Sequence, residues 1–404
     1  MTKIVIVGAG QAASSCAAKL RNSGFEGSLT IIGKEPVIPY QRPPLSKKYM
    51  LGDMELDRLF LRPEAFYSEH SIDLRLGQTV DAIDREAKTI SMGDIELSYD
   101  QLVLTTGSWP RRLPSKIGGD LQGVYVMRDL ADADTMAKEF VAGKKVLIIG
   151  GGYIGLEAAA VAAAKGLDVT LVEMADRILQ RVAAPQTSDY FRALHQSHGV
   201  KIIEGVGLST LTGNEGKVST ATLSDGTELD VDFVIAGVGV VPADELAQQA
   251  GLDIENGIKV NSFGQTSDPS IWSAGDCASF PYEDTRIRLE SVGNAIDQAE
   301  NIAENLMGAD KPYAAKPWFW SDQFDVKLQI AGLNIGYDDV IVRHGETENS
   351  QSHWYYRGDR LIAVDAMNES RSYMIGKRLI EAGKSPDKAT IQDPATDMKA
   401  LLKA

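Results

Sequence analysis

Cysteine is scarce. The 404 residues contain two, Cys16 and Cys277, and only five histidines. Neither cysteine sits in a C-x-x-C pair, and no Cys/His set has zinc-ligand spacing. A disulfide scaffold is excluded and no metal ligand set is expected; the two thiols read as small buried hydrophobes. Long apolar runs are missing as well. None approaches the roughly 18 residues that a membrane crossing needs. The apolar stretch Ile4–Val7 is short and ends in a glycine loop rather than a small-residue cleavage site. No secretion signal is read there, and a cytoplasmic location is expected. Positive charge is in deficit: 41 Lys and Arg stand against 56 Asp and Glu, a formal net charge of −15. Nothing neutralises phosphates along a strand, so neither nucleic acid nor a membrane is expected as a partner.

What is present is a globular composition, with 44% hydrophobic and 24% charged residues, enough for a sizeable core. The length leaves room for two or three domains. Two stretches repeat one pattern. Ile4–Val7 reads as a buried strand, Gln11–Asn22 as a helix and Leu29–Ile32 as a second strand. Lys144–Ile149, Tyr153–Lys165 and Val169–Val172 then do the same. Each has its glycine loop between strand and helix, as a βαβ unit requires.

The first loop is Gly8-Ala9-Gly10-Gln11-Ala12-Ala13. Gly8 permits the tight turn, Gly10 lets the backbone approach a pyrophosphate, and the small Ala13 lets helix pack on strand. The helix N-terminus then turns its free N–H groups toward the anion. The second loop is Gly150-Gly151-Gly152-Tyr153-Ile154-Gly155, trailed by Glu173. A carboxylate there accepts hydrogen bonds from both ribose hydroxyls and repels a 2′-phosphate, which favours NADH over NADPH, although Arg177 and Arg181 stand nearby. One grip suits a resident flavin dinucleotide and the other a visiting nicotinamide dinucleotide, which gives up a hydride that a flavin can accept.

Elsewhere, Leu102–Leu104 is an apolar strand ending in "TTGSWP". Arg111–Gly123 reads as a crossover, and Asp232–Val241 as one strand ending in "GVGVVP". Gly257–Ala278 holds short strands and turns, and "NAIDQAENIAENLMG" is helical. From about Pro317 the texture changes. "HWYYRGDRLIAVDAMN" reads as a β-hairpin with a tight Arg-Gly-Asp turn, followed by a helix near Ser372–Ala382.

The chain resembles the FAD-dependent ferredoxin reductases of bacterial cytochrome P450 and aromatic-oxygenase systems. The likeness spans the whole chain. Its most specific segments are "VIPYQRPPLSKKYM", "GGGYIGLEAA", "SAGDCA", "RLESVGNAIDQA" and "PWFWSDQFDVKLQIAGL". It implies an α/β fold of two Rossmann-like dinucleotide-binding domains plus an α+β C-terminal domain. The FAD-binding domain would comprise 1–110 and 241–317, the NAD-binding domain 111–240, and the C-terminal domain 318–404. It also implies tightly bound FAD, NADH as substrate, and a [2Fe–2S] ferredoxin partner that serves a P450 or other oxygenase.

The resemblance assigns site residues too. Asp276, after Gly275, is expected to accept hydrogen bonds from the flavin's ribityl chain. Arg42 and Lys47 would be cationic contacts of the isoalloxazine, beside the stiffening prolines of "RPPLSK". Glu157 matches the family's glutamate near the nicotinamide, so Lys47 and Glu157 would pair at the hydride-transfer site. Arg128, Val80 and Val292 fall on FAD-contact positions, as do Thr106 and Gly107. Gly239 and Arg181 fall on the nicotinamide dinucleotide side, and Trp320 where the family places an aromatic beside the ring. Where the family carries aspartate, this sequence has Lys34. Glu35, next to it, is expected to take over the adenosine ribose, with Lys34 pointing out or contacting a phosphate.

Absences now discriminate. No redox C-x4-C follows the first βαβ unit, and Gln41-Arg42 stands where thiol-dependent relatives carry a cysteine, so protein-thiol chemistry is not expected. Arg288, Lys311, Lys316, Lys327, Arg343, Arg357, Arg360 and Arg371 are candidates to face an acidic ferredoxin. Two rival readings share this architecture: the reductase of a ring-hydroxylating dioxygenase or of rubredoxin, and a redox-gated binding protein of the apoptosis-inducing-factor type. The last typically carries extra targeting or insertion segments that are not seen here.

Overall fold

The computed structural model describes residues 1–403. The chain divides into two compact units. One comprises Met1–Gln41, Glu55–Trp109 and Val240–Pro317; the other comprises Arg42–Met54, Pro110–Gly239 and Trp318 to the C-terminus.

The first unit is built on a five-stranded parallel sheet. Its order is Ile271–Ser273, Gln101–Leu104, Lys3–Val7, Ser28–Gly33 and Ile72–Leu76. Four of the five residues of Lys3–Val7 are buried, the near-continuous apolar signature of a strand covered on both faces. Helix Gln11–Asn22 is alanine-rich and packs Ala13, Cys16, Ala17 and Leu20 into the core with the Val292–Leu306 helix residues Ala299, Ile302 and Ala303. It stops at Ser23-Gly24, where Gly24 has φ 84°.

The second unit repeats the design. Its parallel sheet runs Lys201–Glu204, Asp168–Glu173, Lys145–Ile149, Phe233–Ala236 and Val124–Tyr125. Helix Tyr153–Ala164 crosses between Lys145–Ile149 and Asp168–Glu173. The same unit carries a five-stranded antiparallel sheet in the order Trp318–Gln323, Val326–Gly332, Arg360–Met367, Gln351–Arg357 and Asp339–His344. Its hairpin turns at Gly358, φ 59°, and Asp359. Helix Ser370–Glu381 covers this sheet, placing Tyr373, Ile375 and Leu379 against Trp354 and Val364. The α/β class with two Rossmann-like folds and an α+β C-terminal part is as expected.

One expected strand is two. Asp232–Val241 splits into Phe233–Ala236 and Val240–Pro242. Gly237 donates to Ile149 O at 2.8 Å and Gly239 turns the chain at φ 95°. The β-branched residues on both sides hide this break from a pattern reading. Single-sequence patterning also passes over the antiparallel meanders Ala82–Ser98 and Leu208–Asp230. Among the described residues no helix is long and apolar enough to cross a membrane.

Candidate functional site

In the first unit, Gly8 and Thr105 end adjacent parallel strands, the edge at which such sheets bind ligands. Gly8 has φ 109°, and a Cβ there would sit 2.2 Å from Thr105 O. A Cβ on Gly10 would meet nothing within 4 Å. Gly10 is also the N-cap of Gln11–Asn22, and no side chain caps it. An uncapped helix N-terminus with open space before it fits a dinucleotide pyrophosphate. Ala13 is fully buried beneath the loop, and Gln11 donates its amide to Ser15 Oγ. Gly275, at φ 82°, brings its backbone against Ala12, where an added Cβ would lie 3.3 Å away, and its N–H donates to Gln298 Oε1 at 2.9 Å. Next to it, Asp276 Oδ2 accepts from Ser108 Oγ at 2.9 Å. Thr106 Oγ1 donates to Ala243 O, and Gly107 O accepts from Ala243 N.

The strand after this helix ends at Lys34-Glu35. The Glu35 carboxylate accepts from Tyr40 OH, while Lys34 is exposed with its Nζ 5.1 Å from the Trp109 ring centroid. Val80 packs on the core that backs this strand and Gln101–Leu104. Val292 is the first residue of a helix capped by Ser291, whose Oγ accepts from Asn294 N.

In the second unit the geometry recurs. Gly150 has φ 104°, and its Cβ would lie 2.4 Å from Gly237 O. A Cβ on Gly155 would lie 2.0 Å from Gly150 O, so the helix packs on the loop only as glycine. Gly152 caps Tyr153–Ala164 without a side-chain bond and faces open space. Glu173 is held by two backbone donors, Gly151 N at 2.7 Å and Ala175 N at 2.8 Å. Arg181 and Gly239 are brought together, since a Cβ on Gly239 would lie 3.7 Å from the guanidinium. Arg177 is turned away, donating to Ser188 Oγ and Ala183 O. Ile154 is nearly half exposed at the mouth of the loop; Tyr153 lies against Phe319, ring centroids 5.1 Å apart.

One turn into that helix, Glu157 is 4% exposed. Lys47 Nζ lies 2.8 Å from its Oε2, Ser46 Oγ donates to the same oxygen at 3.0 Å, and Ser321 Oγ donates to Oε1 at 2.7 Å. Burial pushes the Glu157 carboxyl up from the ordinary carboxylate range; Lys47 and the two hydroxyls pull it back. The Lys47–Glu157 pair expected from the sequence is thus formed. Arg42 donates to Arg128 O at 3.0 Å, tying the "RPPLSK" segment to the start of helix Leu130–Ala137.

With these sites in place, comparison with known proteins is decisive. Residues 2–299 match the pyridine nucleotide-disulphide oxidoreductase family, and 318–402 match the reductase C-terminal family. A ferredoxin–NAD(P)+ reductase from Sphingomonas sp is 42% identical over 405 residues, covering 99% of this chain and 96% of its own. Rhodocoxin reductase from Rhodococcus erythropolis is 40% identical, covering 99% of this chain and 94% of its own. Among solved structures, the covalent putidaredoxin reductase–putidaredoxin complex superposes with a TM-score of 0.96 at 39% identity, over 100% of this chain and 98% of that one. The chain belongs to the ferredoxin reductases. It is an oxidoreductase of the FAD- and NADH-dependent kind.

Sequence reading missed several residues bonded around Glu157. Ser46, Ser321, Gln323 and His195 join Glu157 in one buried set, with half-buried Lys47 at its edge. Serine and glutamine carry no motif; the only sequence signal was that Ser321 and Gln323 share one face of an alternating strand. Trp320 points to the strand's other face and stacks on Trp318, centroids 5.4 Å apart. Two basic residues considered for partner contact are engaged internally. Arg288 bonds Asp276 O and Glu290, and Arg343 donates to the carbonyls of Ile391, Pro394 and Thr396. A long cation can serve the backbone as readily as a partner.

A second buried polar set in the reductase concerns stability. Thr187 Oγ1 donates to Asp365 Oδ2 at 2.8 Å and lies 2.7 Å from His353 Nδ1; Tyr355 OH donates to the same Asp365 oxygen. Burial lowers His353 and His195 to about 4 and raises Asp365 to about 6. Below the ordinary histidine value near 6.5 the unfolded chain takes up protons that the folded histidines refuse. Stability present above that value is therefore lost as pH falls toward 4, by about 3 kcal/mol per histidine. Asp365 acts oppositely: its folded carboxyl takes a proton first, so acid relieves its burial. Two histidines against one carboxyl give a net loss. We expect the thermal midpoint to drop between pH 7 and pH 4.5, and to drop more steeply in D365N. Calorimetry across that range checks both; a flat profile would refute the assignment.

Proposed function

We propose that this chain passes electrons from NADH through FAD to a small [2Fe–2S] ferredoxin, which serves a cytochrome P450 monooxygenase in the cytoplasm. The observation that carries this reading is two open, uncapped glycine cradles in one chain, with buried Glu157, on the helix that the second cradle opens, paired to Lys47. We assign FAD to residues 1–110 and 241–317, the nicotinamide dinucleotide to 111–240, and cover of the flavin to 318–404, with Trp320 against the ring.

FAD held here would supply an acceptor for the two-electron hydride of NADH and a means of releasing the electrons singly. The chain's residues make that passage possible. Gly10 and the Gln11–Asn22 N-terminus hold one pyrophosphate, and Gly152 with the Tyr153–Ala164 N-terminus holds the other. Glu35 takes the adenosine ribose of FAD, with Lys34 turned outward onto Trp109. Asp276, oriented by Ser108, accepts from the ribityl hydroxyls. Arg42, Arg128, Val80, Thr106, Gly107 and Val292 line the same cofactor. Lys47 sets a positive charge where the reduced ring gains negative charge, and Glu157 accepts a hydrogen bond from the nicotinamide amide. Glu173, fixed by two backbone N–H groups, accepts from both ribose hydroxyls. Arg177 is occupied elsewhere, which supports NADH over NADPH, with Arg181 and Gly239 bordering the site.

Stopped-flow mixing with NADH tests the reading. Fast loss of flavin absorbance is expected, followed by cytochrome c reduction that requires added [2Fe–2S] ferredoxin. Bleaching too slow for turnover would favour a redox-gated binding module instead. Faster delivery to rubredoxin than to ferredoxin would overturn the partner.

A further inference from the structure

Glu157 is served from a direction that neither glycine loop provides. In the strand Trp318–Gln323, Ser321 and Gln323 are fully buried while Asp322 between them is exposed. Helix Tyr153–Ala164 sets Tyr153 and Glu157 one turn apart, a rise of about 6 Å. Two residues of strand advance roughly 6.6 Å. The spacings match, so Phe319 meets Tyr153 and Ser321 meets Glu157 in register.

Behind Ser321 the hydrogen bonds run in one direction. His195 Nε2 lies 2.8 Å from Gln323 Oε1, which can only accept, so that nitrogen carries the proton. Gln323 Nε2 can only donate, and it donates to Ser321 Oγ at 3.1 Å. The serine hydrogen is thereby left for Glu157 Oε1. Three donors line up and end on the carboxylate, each polarising the next.

The two carboxylate oxygens have different partners. Oε2 receives both Lys47 and Ser46. Oε1 receives Ser321. Lys47 is the charged group facing Glu157; Ser46 and Ser321 are neutral, and His195, beyond Gln323, is kept neutral by burial. Charge balance therefore comes from the "RPPLSK" segment, and orientation of the second oxygen comes from the C-terminal sheet.

We propose that Ser321, held by Gln323 and His195, is a positioning residue that keeps Glu157 an oriented carboxylate for its work beside the nicotinamide. This rests on the role given to Glu157 above. It makes the first strand of the C-terminal part a working element of the hydride site as well as a cover.

The test uses the FAD-loaded protein and follows NADH-driven flavin bleaching from acid to neutral pH. Removing a donor to the charged form raises a carboxyl's pKa. In S321A the acid limb of the rate profile is therefore expected to move up by about one pH unit, with the loss in the limiting rate rather than in NADH half-saturation. S321T should restore the limb. Q323L should shift it the same way by less. An unmoved limb in S321A, with E157Q still slow, overturns the proposal and leaves Ser321 a space-filler. Unchanged bleaching in E157Q overturns the underlying role of Glu157 instead. Should S321A fail to hold FAD, the isosteric pair S321T and S321V carries the comparison. The valine form alone should shift; identical profiles would overturn the proposal.

Discussion

E157Q is expected to slow flavin bleaching by NADH on the order of a hundredfold while the purified protein stays yellow. The carboxylate is buried and bonded to Lys47, Ser46 and Ser321. Glutamine keeps its shape and one acceptor, so packing of the helix on the Trp318–Gln323 strand should survive. It removes the negative charge that balances the Lys47 ammonium and to which we assign the orienting of the nicotinamide. FAD retention should not change, because the cradle at Gly8–Ala13 lies in the other unit. K47M should give a loss of similar size. The double variant should be little slower than the worse single one, since the two groups act as a pair. Stopped-flow rates at saturating NADH check all three. Full additivity would mean that Lys47 and Glu157 work independently.

Valine at Gly10 or Gly152 is expected to separate the two cofactors. Neither position resists a side chain: a Cβ at either meets nothing within 4 Å. The fold should therefore tolerate valine, with the thermal midpoint of the apoprotein changed little. The space that valine fills is the one we assign to an approaching pyrophosphate. G10V should yield a soluble, folded, colourless protein. G152V should yield a yellow protein whose half-saturation by NADH rises about a hundredfold or more, by the loss of several charge-assisted backbone hydrogen bonds. G8A is the contrasting control. Its Cβ would lie 2.2 Å from Thr105 O at φ 109°, so it should fail to fold rather than merely fail to bind. Bound flavin measured after refolding with excess FAD, and NADH titration of G152V, give the readouts.

The two glycine loops were legible because their requirements are steric and local. A positive φ at Gly8 and Gly150 leaves no other residue type, and bare backbone at Gly10 and Gly152 is what the close approach of a pyrophosphate asks for. The helix Gln11–Asn22 falls where its pattern placed it, because strand, glycine loop and helix form one local unit. Reading Lys47 with Glu157 needed the family likeness: the two are far apart in sequence, and only the tertiary fold makes them neighbours. Ser321, Gln323 and His195 stayed invisible for the same reason, since no spacing marks a serine that will end a hydrogen-bond chain. Asp232–Val241 misled because β-branched residues on both sides of Gly237 and Gly239 hide the break between two strands. Arg288 and Arg343 misled because sequence counts charge, whereas the fold decides what a guanidinium bonds.

The most direct measurement is an anaerobic count of electrons. The yellow protein, present in trace amount, is mixed with limiting NADH and excess oxidised [2Fe–2S] ferredoxin. Each NADH consumed should reduce about two ferredoxins, because a two-electron donor feeds one-electron carriers through the flavin. NADH that bleaches the flavin yet leaves the ferredoxin oxidised would contradict the account.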